Sequence, residues 1–396
     1  MLRKMRLLTA GESHGTGLTG ILDGLPAGLE LTVAMIEEQL RRRRQVGGRG
    51  ARMKIEQDQV EISAGVRHGR TLGSPLALLI PNRDHKNWSA VMSTVASGKN
   101  VEAVTVPRPG HIDLAGCLKY DTTDTRNVSE RASARETAMR TAIGASCRQL
   151  LEEVGVSVGS RIIQAGNILD LNEYDSLTPT EINLQADKSE MRCLDPLVSG
   201  RMLDAVAEVT AQGDTLGGML EVRAAGLPAG LGSSSQWDLK LQARLAGALM
   251  SIGGMKGFEI GAGIAAAALR GSEGNDSIIS EEGGLSRPTN FAGGIEGGLS
   301  NGSELVIRLA MKPIPTLRQA QQSVDLENGN IAPAPQERGD SWGVAAASIV
   351  AEAMTCLILT DALLEKYGGD TMHQLKAHIQ ASGRWLDSRQ DSDEHD

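Results

Sequence analysis

The hexapeptide Gly-Leu-Pro-Ala-Gly-Leu occurs twice in this chain, at residues 24–29 and again at 226–231. A strand-like segment precedes each copy (Leu18–Asp23 and Gly217–Ala225), and a helical pattern follows each. A repeated strand–loop–helix context points to an internal duplication. It constrains the fold to two related halves packed about a pseudo-twofold axis. Composition says what fills their core. Aromatic residues make up only 2% of the chain and glycines number 47. The core is therefore aliphatic, and an aromatic ligand would be held by backbone and polar groups rather than between rings.

A chain of 396 residues suits one large or two ordinary domains. Its 40% hydrophobic and 22% charged content is that of a globular protein. The net charge of -9 argues against general nucleic-acid binding. No membrane-spanning apolar run is expected, and the short apolar stretch after Arg6 is too brief for a signal peptide. Cys117, Cys147, Cys193 and Cys356 are far apart and form neither a CxxC pair nor a zinc spacing. Reduced thiols in a cytoplasmic protein without a metal are expected. Residues 387–396 carry five acids and one arginine, the pattern of a disordered acidic tail.

Along the chain, a strand over Met5–Ala10 runs into Gly11-Glu12-Ser13-His14-Gly15. That loop is either a plain strand-ending turn or one that exposes His14 to a cleft. Thr32 caps a helix with Val33, Ile36 and Leu40 on one face, supported by Glu37 and Glu38 four residues before Arg41 and Arg42. From Gln39 to Lys54 lie seven cations and no acid. That run, with Arg43 and Arg49, reads either as a solvated face or as an anion site. Strands are expected over 60–63 and 76–80, and His85 reads as structural. Arg108-Pro109-Gly110-His111 cannot be regular helix, so His111 sits on a shaped turn beside Asp113. Ser133 and Glu136 match a capping box opening a helix to Val154, with Gly155 as its stop. With Arg131 and Arg135 alongside, that terminus is either ordinary or anion-binding.

One or two strands follow over 156–169, then a surface excursion over 170–199 and a helix over 202–215. A helix marked by Leu239–Ile252 ends at Gly253-Gly254. Residues 271–302 read as a long glycine-rich loop. A strand over 304–310 leads to Lys312-Pro313-Ile314-Pro315-Thr316, and Arg338-Gly339-Asp340 precedes a long helix over 341–367. No P-loop, Rossmann glycine pattern, metal spacing or GxSxG elbow is present. Two turn-borne histidines, loop arginines and close-approach glycines suit a small polyanionic substrate and proton transfer. A non-enzymatic binder of phosphorylated ligands or RNA, using the Arg41–Arg52 run, is the rival reading.

The ordered set Gly11-Glu12-Ser13-His14-Gly15, Arg42-Arg43 with Gly48-Arg49-Gly50, Gly73-Ser74-Pro75, Arg108-Pro109-Gly110-His111 with Asp113-Leu114-Ala115-Gly116, Arg131–Ala138 and Lys312-Pro313 resembles the chorismate synthase family. The resemblance implies an α+β fold, a β-α-β sandwich with helices between antiparallel sheets. It implies one domain over 1–386, in halves of roughly 1–200 and 201–386, and a homotetramer. It also implies conversion of 5-enolpyruvylshikimate 3-phosphate to chorismate with reduced FMN, and NADPH as a possible reductant. By the same resemblance His111 protonates the leaving phosphate, His14 sits near the flavin N1, and Asp340 relays a proton near N5. Flavin contacts fall on Arg131, Ala132, Ser133, Gly253, Gly254, Gly297, Lys312, Pro313, Ile314, Pro315, Thr316 and Arg338. Arg43 and Arg49 fall to NADP or substrate, with Arg108 and Arg135 as further anion holders. Gly339 stands where many members carry histidine, and Gly253-Gly254 where many carry a polar residue and alanine.

Overall fold

The computed structural model describes residues 2–47, 58–96, 101–281, 284–319, 321–336 and 339–382. Its first sheet is built from β1 (Arg6–Ala10), β2 (Gly17–Asp23), β3 (Glu61–Ala64) and β4 (Leu76–Pro81), in the order β1-β2-β4-β3. Its second uses β5 (Ser157–Ala165), β6 (Ile168–Leu169), β7 (Gly218–Ala225), β8 (Met255–Ile260) and β9 (Leu305–Met311), in the order β8-β9-β7-β5-β6. All of these pairings are antiparallel. Leaving out β6, the two sheets share one plan: first strand, second, fourth, third. β5 lies in the second sheet, so strand pairing puts the change from one sheet to the other near Gly155.

The helices are α1 (Val33–Arg44), α2 (Asp113–Tyr120), α3 (Glu136–Glu153), α4 (Pro179–Ala186), α5 (Pro196–Ala211), α6 (Leu241–Met250) and α7 (Val344–Tyr367). α1 follows β2 as α6 follows β7, and α3 follows β4 as α7 follows β9. α3 packs on the first sheet, α7 on the second, and the two pack most extensively on each other. The strand pattern explains why. Leu76, Leu78 and Ile80 of β4 are buried against helices and alternate with half-buried Ala77, Leu79 and Pro81.

The repeated hexapeptide folds the same way in both places. Gly24, Gly28, Gly226 and Gly230 all have positive φ, between 80° and 103°, a region open mainly to glycine. In the first copy the Thr71 hydroxyl donates to Pro26 O (2.6 Å) and accepts from Leu29 N–H (3.0 Å), while Gly28 N–H donates to Thr71 O (2.9 Å). In the second, Ser300 repeats this with Pro228 O (2.7 Å), Leu231 N–H (2.8 Å) and Gly230 N–H (2.7 Å). In both copies one residue, through its hydroxyl and its carbonyl, satisfies the same three polar atoms of the loop.

α7 is buried from Val344 through Leu364. It is the one helix among the described residues long and apolar enough to cross a membrane, against the expectation of no such run, yet every residue of its apolar window lies inside the fold. A helix apolar all round belongs in a core. Two carboxylates on it are paired there. Asp361 accepts the backbone N–H groups of Arg3, Lys4 and Met5 and pairs with Arg244, anchoring the start of β1. Glu352 meets Arg42 from α1, Arg148 from α3 and Arg192, and accepts from Ser160 of β5. Burial pushes the Glu352 carboxyl up, but the three guanidiniums outweigh it and hold it down at about 2.

Three expectations need correction. The stretch 170–199 is not a plain surface excursion: Asp170, Arg192 and Cys193 are buried, and Arg192 reaches Glu352. The helix expected at 202–215 is α5, which starts six residues earlier because Asp195 accepts from Leu197 N–H and Val198 N–H ahead of Pro196. The long glycine-rich loop contains two short hairpins, Ile279–Glu281 with Gly284–Ser286 and Ile295–Glu296 with Leu299–Ser300. The acidic tail lies outside the described residues.

At Gly144, where α3 meets α7, a Cβ would lie 2.4 Å from Ala353 Cβ and 2.6 Å from Ala353 O. Gly144→Ala should therefore destabilise by about 1–3 kcal/mol, although alanine favours helix by about 1 kcal/mol over glycine. Urea unfolding checks this; a stabilised variant would contradict the packing. Glu352's depressed carboxyl gives stability that is present above its ordinary 4.5 and lost as pH falls toward about 2. Glu352→Gln should lower stability at pH 7 and flatten its fall below pH 4.5, as measured by denaturation at several pH values.

Candidate active site

The loop between β1 and β2 carries Ser13 and His14. Asn82, just past β4, fixes it by donating to Ser13 O (3.1 Å) and Gly15 O (2.9 Å), while its own N–H donates to Thr16 O. Glu130 then takes His14 at two points. Its Oε2 accepts the His14 backbone N–H (2.8 Å) and its Oε1 lies 2.7 Å from ring Nδ1. An ionised carboxylate only accepts, so Nδ1 is the protonated nitrogen facing Glu130, and Nε2 points away from it. Trp88 stacks on the imidazole at 3.8 Å between centroids, and His85 Nδ1 lies 3.0 Å from His14 O.

The second histidine is held in the same manner. Gly110 has φ 73°, which lets the chain turn so that His111 N–H donates to Arg108 O. His111 Nδ1 contacts Oδ1 of Asp113, the first residue of α2. Arg108 clasps the same carboxylate through Nε (2.7 Å) and Nη2 (3.0 Å). Burial pushes the Asp113 carboxyl up, but bonds from His111 and Arg108 outweigh it and hold it well below the usual carboxylate range. Arg108 is thus engaged by Asp113 in this geometry.

The proline loop after β9 joins these parts. Lys312 N–H donates to Gly254 O (2.9 Å), and Lys312 Nζ donates to Gly110 O (3.0 Å) beside His111. Thr215 Oγ1 donates to Ile314 O (2.7 Å). A Cβ at Gly339 would sit 2.8 Å from Thr316 Oγ1, so this loop lies against the segment carrying Asp340. Burial, then the Lys256 ammonium, pull the Lys312 ammonium below the usual lysine range.

On the other flank, Ser133 Oγ donates to Ser13 Oγ (3.1 Å). Arg131 donates to Thr9 O and Thr9 Oγ1, and Thr9 donates to Glu136. Arg140 spans from Glu136 to Ser251, two residues before Gly253. A polar chain therefore runs from the His14 loop past Arg131 and Ser133 to Gly253-Gly254, Lys312 and His111. A cleft of about 600 Å³ lies beside it, walled by Thr9, Glu136, Arg140 and Ser251 with apolar residues of β1 and α7.

Not every expected residue joins this cluster. Arg43 and Arg135 are buried and flank Asp58 at 3.7 and 3.4 Å, and Arg43 also bonds Ala134 O and Thr137 Oγ1 at the start of α3. The arginine run is not one face: Arg41 pairs with Glu38 at the surface, Arg42 turns inward to Glu352, and Arg43 binds α3. The Gly297-Gly298 turn is tied to Ser233 and Leu241. Arg49 and Arg338 lie outside the described residues. The expected capping box is absent. α3 starts at Glu136 without a side-chain cap, Ser133 Oγ accepts from Arg135 N–H, and the Glu136 carboxylate turns to Thr9 and Arg140. Ser13 and Thr9 compete for these side chains and win. Sequence reasoning missed Asn82, Trp88 and Glu130, and read His85 only as structural. The polar cluster Asn82–His85 was a signal for part of this; nothing in the sequence pointed from Glu130 to His14.

Comparison with known proteins follows the same outline. A family model described as chorismate synthase matches residues 5–364. A chorismate synthase of Listeria welshimeri is 47% identical over 380 residues, covering 95% of this chain and 98% of the relative. One of Moorella thermoacetica is 49% identical over 383 residues, covering 96% and 99%. A solved crystal structure of a chorismate synthase superposes with TM-score 0.77 at 40% identity, over 96% of this chain and 98% of the other.

Asn82→Ala removes two bonds to the His14 loop. Backbone amides over residues 11–16 should then exchange with deuterium about tenfold faster, corresponding to about 1.4 kcal/mol for the lost bonds. Mass spectrometry of that peptide checks this, and unchanged exchange would mean that the loop is held otherwise.

Proposed function

The chain belongs to the chorismate synthase family, and from that premise we propose how its residues divide the family's reaction. The reaction converts 5-enolpyruvylshikimate 3-phosphate to chorismate and phosphate by a 1,4-trans elimination with FMN, the last step of the shikimate pathway. Reduced FMN, when bound, lends electron density as phosphate leaves and takes up the ring hydrogen.

The carrying observation is that two turn-borne histidines, His14 and His111, are each held through Nδ1 by a carboxylate, Glu130 and Asp113. Nε2 is then the working nitrogen of both. With its ring doubly protonated, His111 gives the Nε2 proton to the departing phosphate oxygen and returns to the neutral ring, while Asp113 at Nδ1, clasped by Arg108, keeps that ring oriented. With a flavin bound, His14 would tune its charge, and Asp340, on the segment against Thr316, would help move the proton. Positioned proton transfer of this kind contributes roughly 10²–10⁴-fold in rate.

The residues present fit a flavin. At Gly253 the space where a Cβ would stand is open, so main chain can approach a flat ring there. Lys312 and Lys256 repel each other, a cost that a bound phosphate would relieve. The family resemblance assigns the flavin to Arg131, Ala132, Ser133, Gly253, Gly254, Gly297, Lys312, Pro313, Ile314, Pro315, Thr316 and Arg338, and assigns substrate or NADP to Arg43, Arg49, Arg108 and Arg135. NADPH is the candidate reductant of the flavin, a role carried over from the family resemblance. The chain acts as a homotetramer, supported by Leu8 and Ile21, which face each other across β1 and β2 and are exposed (73% and 42%) on the outer face of the first sheet. Two related halves within one domain are supported by the shared strand plan, and a cytoplasmic setting by four free buried cysteines.

His111→Ala should keep FMN binding and lose about 10²–10⁴-fold in phosphate release under anaerobic conditions with reduced FMN. An unaffected rate would refute its assigned role. Binding without turnover by the wild type would favour the phosphorylated-ligand binder instead.

A further inference from the structure

Both carboxylate oxygens of Glu130 meet the same residue. One accepts the backbone N–H of His14 and the other faces its ring Nδ1. The Glu130 carbonyl takes the N–H of Ser13, so the turn is fixed at successive residues. Glu130 is buried (8% exposed) on the helical turn just before Arg131 and Ser133. Trp88, one of four tryptophans in a chain poor in aromatics, covers a face of the same imidazole and is itself fixed by Asp84 through its indole N–H (3.1 Å). Carboxylate, backbone and ring stack together leave the imidazole little rotational freedom, which is the preorganisation a working group needs.

We propose that Glu130 is a positioning residue for the elimination: it sets the tautomer and orientation of His14 so that Nε2 faces the reaction. This rests on the reading of His14 as a working group given above. Glutamine at 130 has one acceptor where the glutamate has two. It satisfies either the ring or the backbone N–H of His14 and turns an amide donor toward the other.

A double-mutant cycle tests it, using the full-length protein with reduced FMN. Glu130→Ala should lower kcat about 10–100-fold with a smaller change in KM. In a His14→Ala background the same substitution should change kcat less than twofold, since its effect passes through the histidine. Equal losses in both backgrounds, or no loss in the first, overturn the proposal. If Glu130→Ala does not fold, Glu130→Gln takes its place in the cycle. A second readout needs no activity: acylation of individual histidines by diethylpyrocarbonate, followed by peptide mass spectrometry. The carboxylate fixes Nε2 as the bare, more basic nitrogen of His14, so Glu130→Gln should slow acylation of His14 at least about threefold and leave His111 unchanged. Unchanged acylation of His14 also overturns the proposal. If His14→Ala turns over normally, the role given to His14 fails, and the acylation rates still decide whether Glu130 positions it.

Discussion

The contact between α3 and α7 carries the rest of the structure. Two helices from the two sheet layers approach closely because Gly144 lies against Ala353, with no side chain between them. One turn away the same helices share a buried ion cluster, where Glu352 of α7 holds Arg148 of α3, Arg42 of α1 and Arg192. Close small-residue packing sets the distance between layers. The charge cluster sets the register, since sliding either helix would leave buried guanidiniums unpaired, at a cost of several kcal/mol. Part of the candidate site lies at the start of these two helices. α3 begins just after Arg131, Ala132 and Ser133, and α7 just after Asp340.

The site therefore draws on both layers. His14 and Glu130 belong to the first, and Lys312, Gly253 and Asp340 to the second. His111 lies between β4 and α3 of the first and is tied to the second through Lys312. Both histidines are restrained by a carboxylate at Nδ1, which leaves Nε2 as the other ring nitrogen. Proton transfer in a water-poor site depends on such restraint, because a ring free to rotate spends little time aimed at its target.

Much of this was legible in the sequence, for identifiable reasons. The repeated hexapeptide announced the duplication because glycines with positive φ and a proline leave few alternative loops. The turn at Pro109-Gly110 was readable because both residues exclude helix. Alternating Leu76, Leu78 and Ile80 gave a strand. What failed were long-range choices. Nothing local says that Arg42, Arg43 and Arg41 go to three different partners, that Ser133 turns to Ser13 rather than capping a helix, or that Glu130 meets a histidine 116 residues away. Local propensity offers each side chain several bonds, and tertiary packing selects among them. The stretch 170–199 looked solvent-facing because it is polar, yet its Arg192 is spent inside the core.

Restrained histidines of this kind serve either a flavin-assisted elimination or ligand binding alone, and the two differ in what the protein releases. The most direct measurement is product stoichiometry under anaerobic conditions, with the wild-type protein and 5-enolpyruvylshikimate 3-phosphate. With reduced FMN, phosphate and chorismate should appear in equal amounts; with oxidised FMN or none, neither should form. Phosphate released without chorismate, or chorismate formed at the same rate without flavin, would contradict the account.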